Sequence, residues 1–447
     1  MAQNILRTLI AWLEVFRPGL TTPGFANLLV VFAGWVRTSG VHAITEALVV
    51  TGVAGRRHHE AYHRFFSRGT WSTDELGRLL FTWLLRLIPD GAPLQLVLDD
   101  TIAPRKGPHV FGICSHRDPV RSTRRHMIFV FGHCWVVVAV LIRVPFSRRP
   151  WALPLLLRLY RTEKESLRAG VPHRKKTELA RDMLDVLVGW TPNRRIELAA
   201  DNAYCCHTVM HGLSPSVVLF GAMRPDADLY ALPPAHQRKG RRRVRGELLP
   251  KPQALAVDER TPWQRITVTL YGKRQTIHYK LMCALWYRAC GTRLLKIVIV
   301  RVDTGAIPWR VFFSTDPTVS VRALLETYAG RWNIEVCFRE LKQLLGFADS
   351  SARKRAAVER MAPFVALVYS TLVAWATTIS AKSIAATIPV RPWYTHKSGF
   401  SFADILRAAQ RTLAAIDVLD PRRDFANLHK ISRAHPSASA PPRRRAA

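Results

Sequence analysis

Apolar residues recur at helical spacing through residues 5–16, 25–36 and 76–88 with no strand alternation between them, so residues 1–88 are predicted to be helical. Pro18-Gly19, Pro23-Gly24 and Gly69 mark the breaks. From Leu94 the pattern changes. Leu94-Gln-Leu-Val-Leu-Asp-Asp100-Thr101 is a short apolar strand ending on carboxylates, and a strand pair rich in β-branched residues follows at 128–131 and 135–144. Residues 150–160 and 174–188 are predicted to return to helix. Arg195-Ile-Glu-Leu-Ala-Ala200 is again a short strand; it ends on Asp201 and leads into a helix-like stretch, 202–211, that includes Cys205 and Cys206. Strand, acid and helix thus repeat. In an open sheet with crossover helices, sites assemble at the carboxyl ends of strands.

Residues 215–315 alternate mostly as strands, at 217–222, 265–271, 276–285, 294–302 and 311–314. Within them lies His236-Gln-Arg-Lys-Gly-Arg-Arg-Arg-Val-Arg245, a basic loop suited to phosphate contact. Tyr328-Ala-Gly-Arg-Trp-Asn-Ile-Glu-Val-Cys-Phe-Arg-Glu-Leu-Lys342 is predicted to be one helix. On it Tyr328, Arg331, Glu335, Arg339 and Lys342 fall within a sector of about 80°, beside an apolar stripe of Ile334, Phe338, Leu341 and Leu345. One acid therefore stands in a basic row at the rim of a packed core. Residues 359–379 are predicted to form a long buried helix, and 437–447 a flexible basic tail.

Composition sharpens this picture through charge. Lys and Arg number 66 against 32 Asp and Glu, a net charge of +34, which points to a polyanion, nucleic acid first and an anionic membrane surface second. The three apolar runs at 25–36, 128–142 and 361–379 are short or carry polar residues, and read as buried core. Seven cysteines without a CxxC pair exclude a disulfide framework or structural zinc site and, with no signal peptide read, suggest a reducing, cytoplasmic setting. Gly55–Trp71 is dense in Arg, His and aromatics and reads as a nucleic-acid-facing segment. It contains His59-Glu60-Ala61-Tyr62-His63, a formal H-E-x-x-H match that lacks a convincing third zinc ligand.

Asp100, Asp201 and Glu335 stand out as three carboxylates with no His or Cys at ligand spacing, a donor set for hard divalent ions such as Mg²⁺ or Mn²⁺. Two such ions can drive in-line phosphoryl displacement. Asp99 competes with Asp100, because adjacent strand residues point to opposite faces and only one can aim at the site.

These residues resemble the bacterial insertion-sequence DDE transposases. The Y-x2-R-x3-E-x6-K signature of that family is matched by Tyr328, Arg331, Glu335 and Lys342, the Asp100-Thr101 pair resembles its first acid, and Asp201 its second. The likeness spans roughly residues 94–380. It implies that Asp100, Asp201 and Glu335 hold two metal ions and that Tyr328, Arg331 and Lys342 grip phosphates of the transposon end. It also implies that Trp309 stacks a flipped base. His133 and Arg224 fall where relatives carry strand residues facing the site.

The fold class expected is α/β: a ribonuclease-H-like mixed sheet with flanking helices, interrupted by a mostly β insertion and preceded by a helical N-terminal domain. The expected division is a helical DNA-binding domain at 1–90, catalytic parts at 91–213 and 319–385, the insertion at 214–318, and a C-terminal helical region with basic tail at 386–447. The function expected is a DNA transposase acting on double-stranded transposon ends and target as a homodimer, nucleoid-associated and with no membrane partner. The alternatives are a ribonuclease-H-like nuclease without strand transfer and a catalytically silent, transposase-derived DNA-binding protein.

Overall fold

The computed structural model describes residues 2–414 apart from 119–120, 124, 235–242, 302–307, 390–391 and 394–398. The basic loop at 236–245 therefore falls largely outside the described residues, and the basic tail wholly so. Helices α1 (Ala2–Glu14), α2 (Thr22–Arg37), α3 (Ile44–Val50) and α4 (Glu60–Ser67) open the chain, followed by α5 (Thr73–Leu84). The chain divides into two compact units. One comprises Met1–Ser72, Asp349–Ser351 and Thr371–Ala447, and the other Thr73–Ala348 with Ala352–Ser370.

The first unit is helical. Its core is built on α2, whose apolar residues are buried almost all round (Phe25, Leu28, Val31, Phe32, Trp35), as expected of a helix wrapped by others. Thr21 caps α2 through the Gly24 amide.

The second unit is a mixed sheet with helices on both faces. Its strands are β1 (Leu94–Pro104), β2 (Cys114–Arg117), β3 (Phe129–Ile142), β4 (Trp151–Tyr160), β5 (Ile196–Ala200), β6 (Val217–Met223), β7 (Gln264–Leu270), β8 (Lys273–Leu285), β9 (Leu294–Arg301) and β10 (Trp309–Ser314). Its helices after α5 are α6 (Glu163–Arg168), α7 (Lys176–Trp190), α8 (His207–Met210), α9 (Pro252–Val257), α10 (Tyr287–Cys290), α11 (Val321–Gly330) and α12 (Trp332–Leu344). A long helix, α13 (Arg355–Ala376), follows, and then α14 (Ala381–Ala385) and α15 (Phe402–Ala414).

Strands β4, β3 and β1 form an antiparallel meander, and β5 and β6 continue from β1 in parallel. That order, antiparallel on one side of β1 and parallel on the other, is the ribonuclease-H-like arrangement. The interrupting β segment extends the same sheet in the order β6-β10-β9-β8-β7. The first half of β1 and all of β5 lie side by side in parallel register, from Leu94 opposite Ile196 to Leu98 opposite Ala200. Asp99 and Asp100, next along β1, are thereby neighbours of Asp201, which follows β5.

Three expected elements are corrected. Residues 150–160 are strand β4, because β3 offers a full ladder to an apolar run whose period does not discriminate. Pro154 is tolerated there since β4 pairs on one side only and the register slips at Val138/Ala139 beside it. Residues 128–131 and 135–144 are one strand, β3. Cys205 and Cys206 lie outside helix, between the turn Asn202–Tyr204 and α8. Helix α13 is long and apolar enough to cross a membrane, and 78% of its most apolar window is buried inside the protein, as in a core helix.

Candidate active site

The expected single helix at 328–342 is two helices, α11 and α12, joined at Arg331. The backbone stays right-handed through Arg331 (φ −52°, ψ −36°), but the hydrogen bonds tighten to three-residue turns, Arg331 N–H to Tyr328 and Ile334 N–H to the Arg331 carbonyl, both 3.0 Å. Asn333 donates to the Gly330 carbonyl at 2.8 Å, replacing a lost helical bond. Gly330 lets the joint sit close on β3, since an added Cβ would lie 3.3 Å from Leu141. The joint thereby aims the Arg331 side chain into the sheet.

Arg331 is the hub of the site. Its guanidinium donates to Asp99 at 2.5 Å and lies 3.2 Å from Glu335. Asp201, at the end of β5, caps the turn Asn202–Tyr204 through the Ala203 amide and exerts an electrostatic pull or push on Asp99, Tyr328, Arg331 and Glu335 alike. Burial raises the Glu335 carboxyl above its ordinary range against the opposing attraction of Arg331. Burial likewise pushes the Asp99 carboxyl up to about 7, with Arg331 and the Asp100 amide holding it down and Asp100 and Asp201 adding repulsion.

Asp100 stands on the other face of β1. There it accepts from Lys176 of α7 at 2.6 Å, from the Tyr204 hydroxyl at 2.7 Å and from the Cys134 thiol at 3.4 Å. So the structure groups Asp99, and not Asp100, with Asp201 and Glu335. The Asp-Thr match led to the expectation of Asp100 at the site; alternation puts only one of the two on the Arg331 side, and there the side chain is that of Asp99. Lys176 and Tyr204 had no signal in the sequence. Their role is to hold Asp100, and Tyr204 in particular ties the turn after Asp201 to the strand carrying Asp99.

The remaining candidates are dispersed. Tyr328 packs on Phe312 (ring centroids 4.8 Å), and burial pushes its hydroxyl up to about 12. Lys342 is exposed on α12. Trp309, at the start of β10, is half-buried and its indole nitrogen has no partner among the described residues. His133 is buried and bonded to the Phe111 carbonyl at 2.9 Å, and burial pushes it down to about 4, so it is neutral at pH 7. Arg224 is spoken for by Asp226 at 2.6 Å. In the first unit His59 and His63 meet edge-on at 5.8 Å, and among the described residues no third ligand joins them.

Asp99 makes a pH prediction for stability. Its carboxyl binds a proton up to about pH 7 in the folded protein and only to 3.8 when unfolded, so the stabilisation is full below 3.8 and lost as pH rises through 7. Metal-free protein is therefore expected to melt at lower temperature as pH rises across that window, and Asp99→Asn to flatten the slope. Parallel pH–melting curves for the two proteins check it.

Asp99 within β1, Asp201 at the end of β5 and Glu335 on α12 thus surround one guanidinium on a ribonuclease-H-like sheet. The chain belongs to the DDE superfamily endonucleases, whose family model matches residues 37–277. Residues 289–383, which carry Glu335, match the family of the archaeal putative transposase ISC1217. Together the two matches support a transposase of the DDE superfamily. No curated protein matches the chain. Among solved structures it is similar to the piggyBac transposase in a cryo-EM synaptic complex with hairpin DNA, at 10% identity over 96% of this chain and 82% of that one, with a TM-score of 0.42.

Enzymes of this superfamily imply a divalent metal. Three carboxylates fit a hard ion in kind, and the Cys205 thiol beside Asp201 is turned onto its backbone carbonyl at 3.5 Å. Among the described residues no three His, Cys, Asp or Glu side chains converge closely enough to hold one. The Arg331 guanidinium stands between Asp99 and Glu335 and supplies positive charge there.

Proposed function

We propose that the protein is a DNA transposase that cleaves the ends of its mobile element and joins them to target DNA, with Asp99, Asp201 and Glu335 as its three acids. The observation that carries this reading is that Asp99 and Glu335 both pair with Arg331, from a central strand and a helix, while Asp201 at a strand end acts electrostatically on the same guanidinium. The net charge of +34 supports double-stranded DNA as the partner, with both transposon ends and target engaged by a homodimer.

Asp99, Asp201 and Glu335 would hold Mg²⁺ or Mn²⁺, two ions in all, which supply Lewis-acid charge for in-line phosphoryl displacement when bound. The chain's own residues do the rest. Arg331 neutralises the acids and offers a planar donor fork to a phosphate. Tyr328 braces the joint from below, and Lys342 reaches phosphate further along α12. Trp309 offers an aromatic face to a displaced base. Asp100 orients rather than reacts.

Glu335→Gln tests the reading. Metal-dependent cleavage of labelled element-end DNA is expected to vanish while duplex binding stays within about twofold, since one half-buried acid is replaced by its neutral isostere in a strongly basic chain. Equal loss of both makes Glu335 a structural residue and sinks the assignment. Cleaved but never joined products leave a nuclease, and a parent protein that binds without cutting leaves a silent DNA-binding relative.

A further inference from the structure

Strands β7 and β8 form a two-stranded ribbon at the end of the sheet. Arg265 lies opposite His278, Thr267 opposite Thr276 and Thr269 opposite Arg274. Directly opposed residues of an antiparallel pair share a face, so these six project together. The two central threonine hydroxyls are 3.2 Å apart. On the other face Ile266, Leu270 and Ile277 pack on the cluster containing Val321, Leu324 and Leu325 of α11. The ribbon is thus laid on the helix that leads into Arg331, with its polar side outward.

That outward side carries no carboxylate. Arg265, Arg274 and His278 are exposed, and none makes an ion pair or hydrogen bond among the described residues. Several other exposed arginines hold acids, as in Arg64–Glu60, Arg78–Glu75 and Arg224–Asp226. Free guanidinium groups in a row with hydroxyls form a surface complementary to phosphate oxygens. Pairing with another strand is blunted, because Glu326 of α11 accepts the edge N–H of Thr269 at 2.8 Å.

The ribbon also points somewhere. Its turn is made by Tyr271 (φ 53°) and Gly272 (φ 78°), both in the left-handed region of a tight hairpin. Tyr271 meets Trp332 edge-on at 6.3 Å, and Trp332 follows Arg331. The seven residues of β7 span about 24 Å, roughly two-thirds of a turn of duplex.

We propose that the outer face of the β7–β8 ribbon docks the phosphate backbone of double-stranded DNA, holding the duplex that runs up to the bond to be cut. The inference rests on the reading of the acids as a DNA-cleaving site. The test is the full-length chain with Arg265→Ala and Arg274→Ala together, titrated against a short labelled duplex of mixed sequence over a salt series by fluorescence anisotropy. Affinity at moderate salt is expected to fall about tenfold and the log–log salt slope to lose about two ions, with thermal melting unchanged. The double Arg→Lys variant is expected to restore both.

Unchanged affinity and slope in the Ala variant, with a parent that binds and cleaves, overturn the ribbon and leave the site reading intact. Loss seen only on duplex RNA overturns it also and gives the face to a different polymer. A parent that binds no duplex at all removes both proposals together.

Discussion

Asp99→Asn is expected to reduce metal-dependent strand cleavage by at least about a thousandfold, whereas Asp100→Asn keeps it within about tenfold; supporting groups around a metal site typically cost roughly tenfold to hundredfold. The two residues are chain neighbours of identical chemistry, so the contrast isolates direction. Asp99 faces Arg331, which also pairs with Glu335, and shares the field of Asp201, and an amide in its place removes a negative donor from the group. Asp100 faces Lys176 and Tyr204 instead. Its amide keeps an acceptor for Tyr204 but leaves the Lys176 ammonium without a counter-charge.

The expected cost of Asp100→Asn is therefore stability, about 2 kcal/mol, below the roughly 3–5 kcal/mol of a fully buried broken pair because a fifth to a third of each side chain still reaches solvent. Single-turnover cleavage and thermal melting, run on both variants, give a crossed pattern. The reverse pattern, with Asp100→Asn inactive and Asp99→Asn merely unstable, would return the first acid to Asp100.

Arg331→Ala is the second large effect. The guanidinium is the strongest influence holding the Asp99 carboxyl down against burial, and it also opposes burial at Glu335. Without it both carboxyls climb further, and fewer protein molecules carry ionised acids at neutral pH. Cleavage near pH 7 is expected to fall about a hundredfold, the range seen when a fixed charge-stabilising group is removed. The acidic limb of the pH profile is expected to move up by about one unit. Arg331→Lys should recover only part, because one ammonium does not span two carboxylates as the fork does. A pH profile that falls uniformly without shifting would make Arg331 a phosphate contact alone.

Much of this was legible along the chain. Asp201 is an acid following a short strand and Glu335 an acid inside an amphipathic helical row, and both stand where strand and helix periodicity place them. The ribbon was also visible, as alternation in Arg265-Ile-Thr-Val-Thr-Leu270. Gly330 is a usable signal for the joint at Arg331, although side-chain spacing alone predicts an unbroken helix. Residues 151–160 offered no such signal: a continuous apolar run satisfies a buried helix and a buried strand equally, and only the vacant side of β3 selects the strand.

By itself, then, the sequence determined most element types, a strongly basic composition and the places of Asp201 after a strand and Glu335 on a helix, because side-chain periodicity and composition are local properties of the chain. The tertiary structure decided which of Asp99 and Asp100 enters the site. Alternation requires the two to part, but which face holds the other acids depends on the register of β1 against β3 and β5, and on Arg331 arriving from 232 positions away. Long-range packing chose the face, and with it the residue.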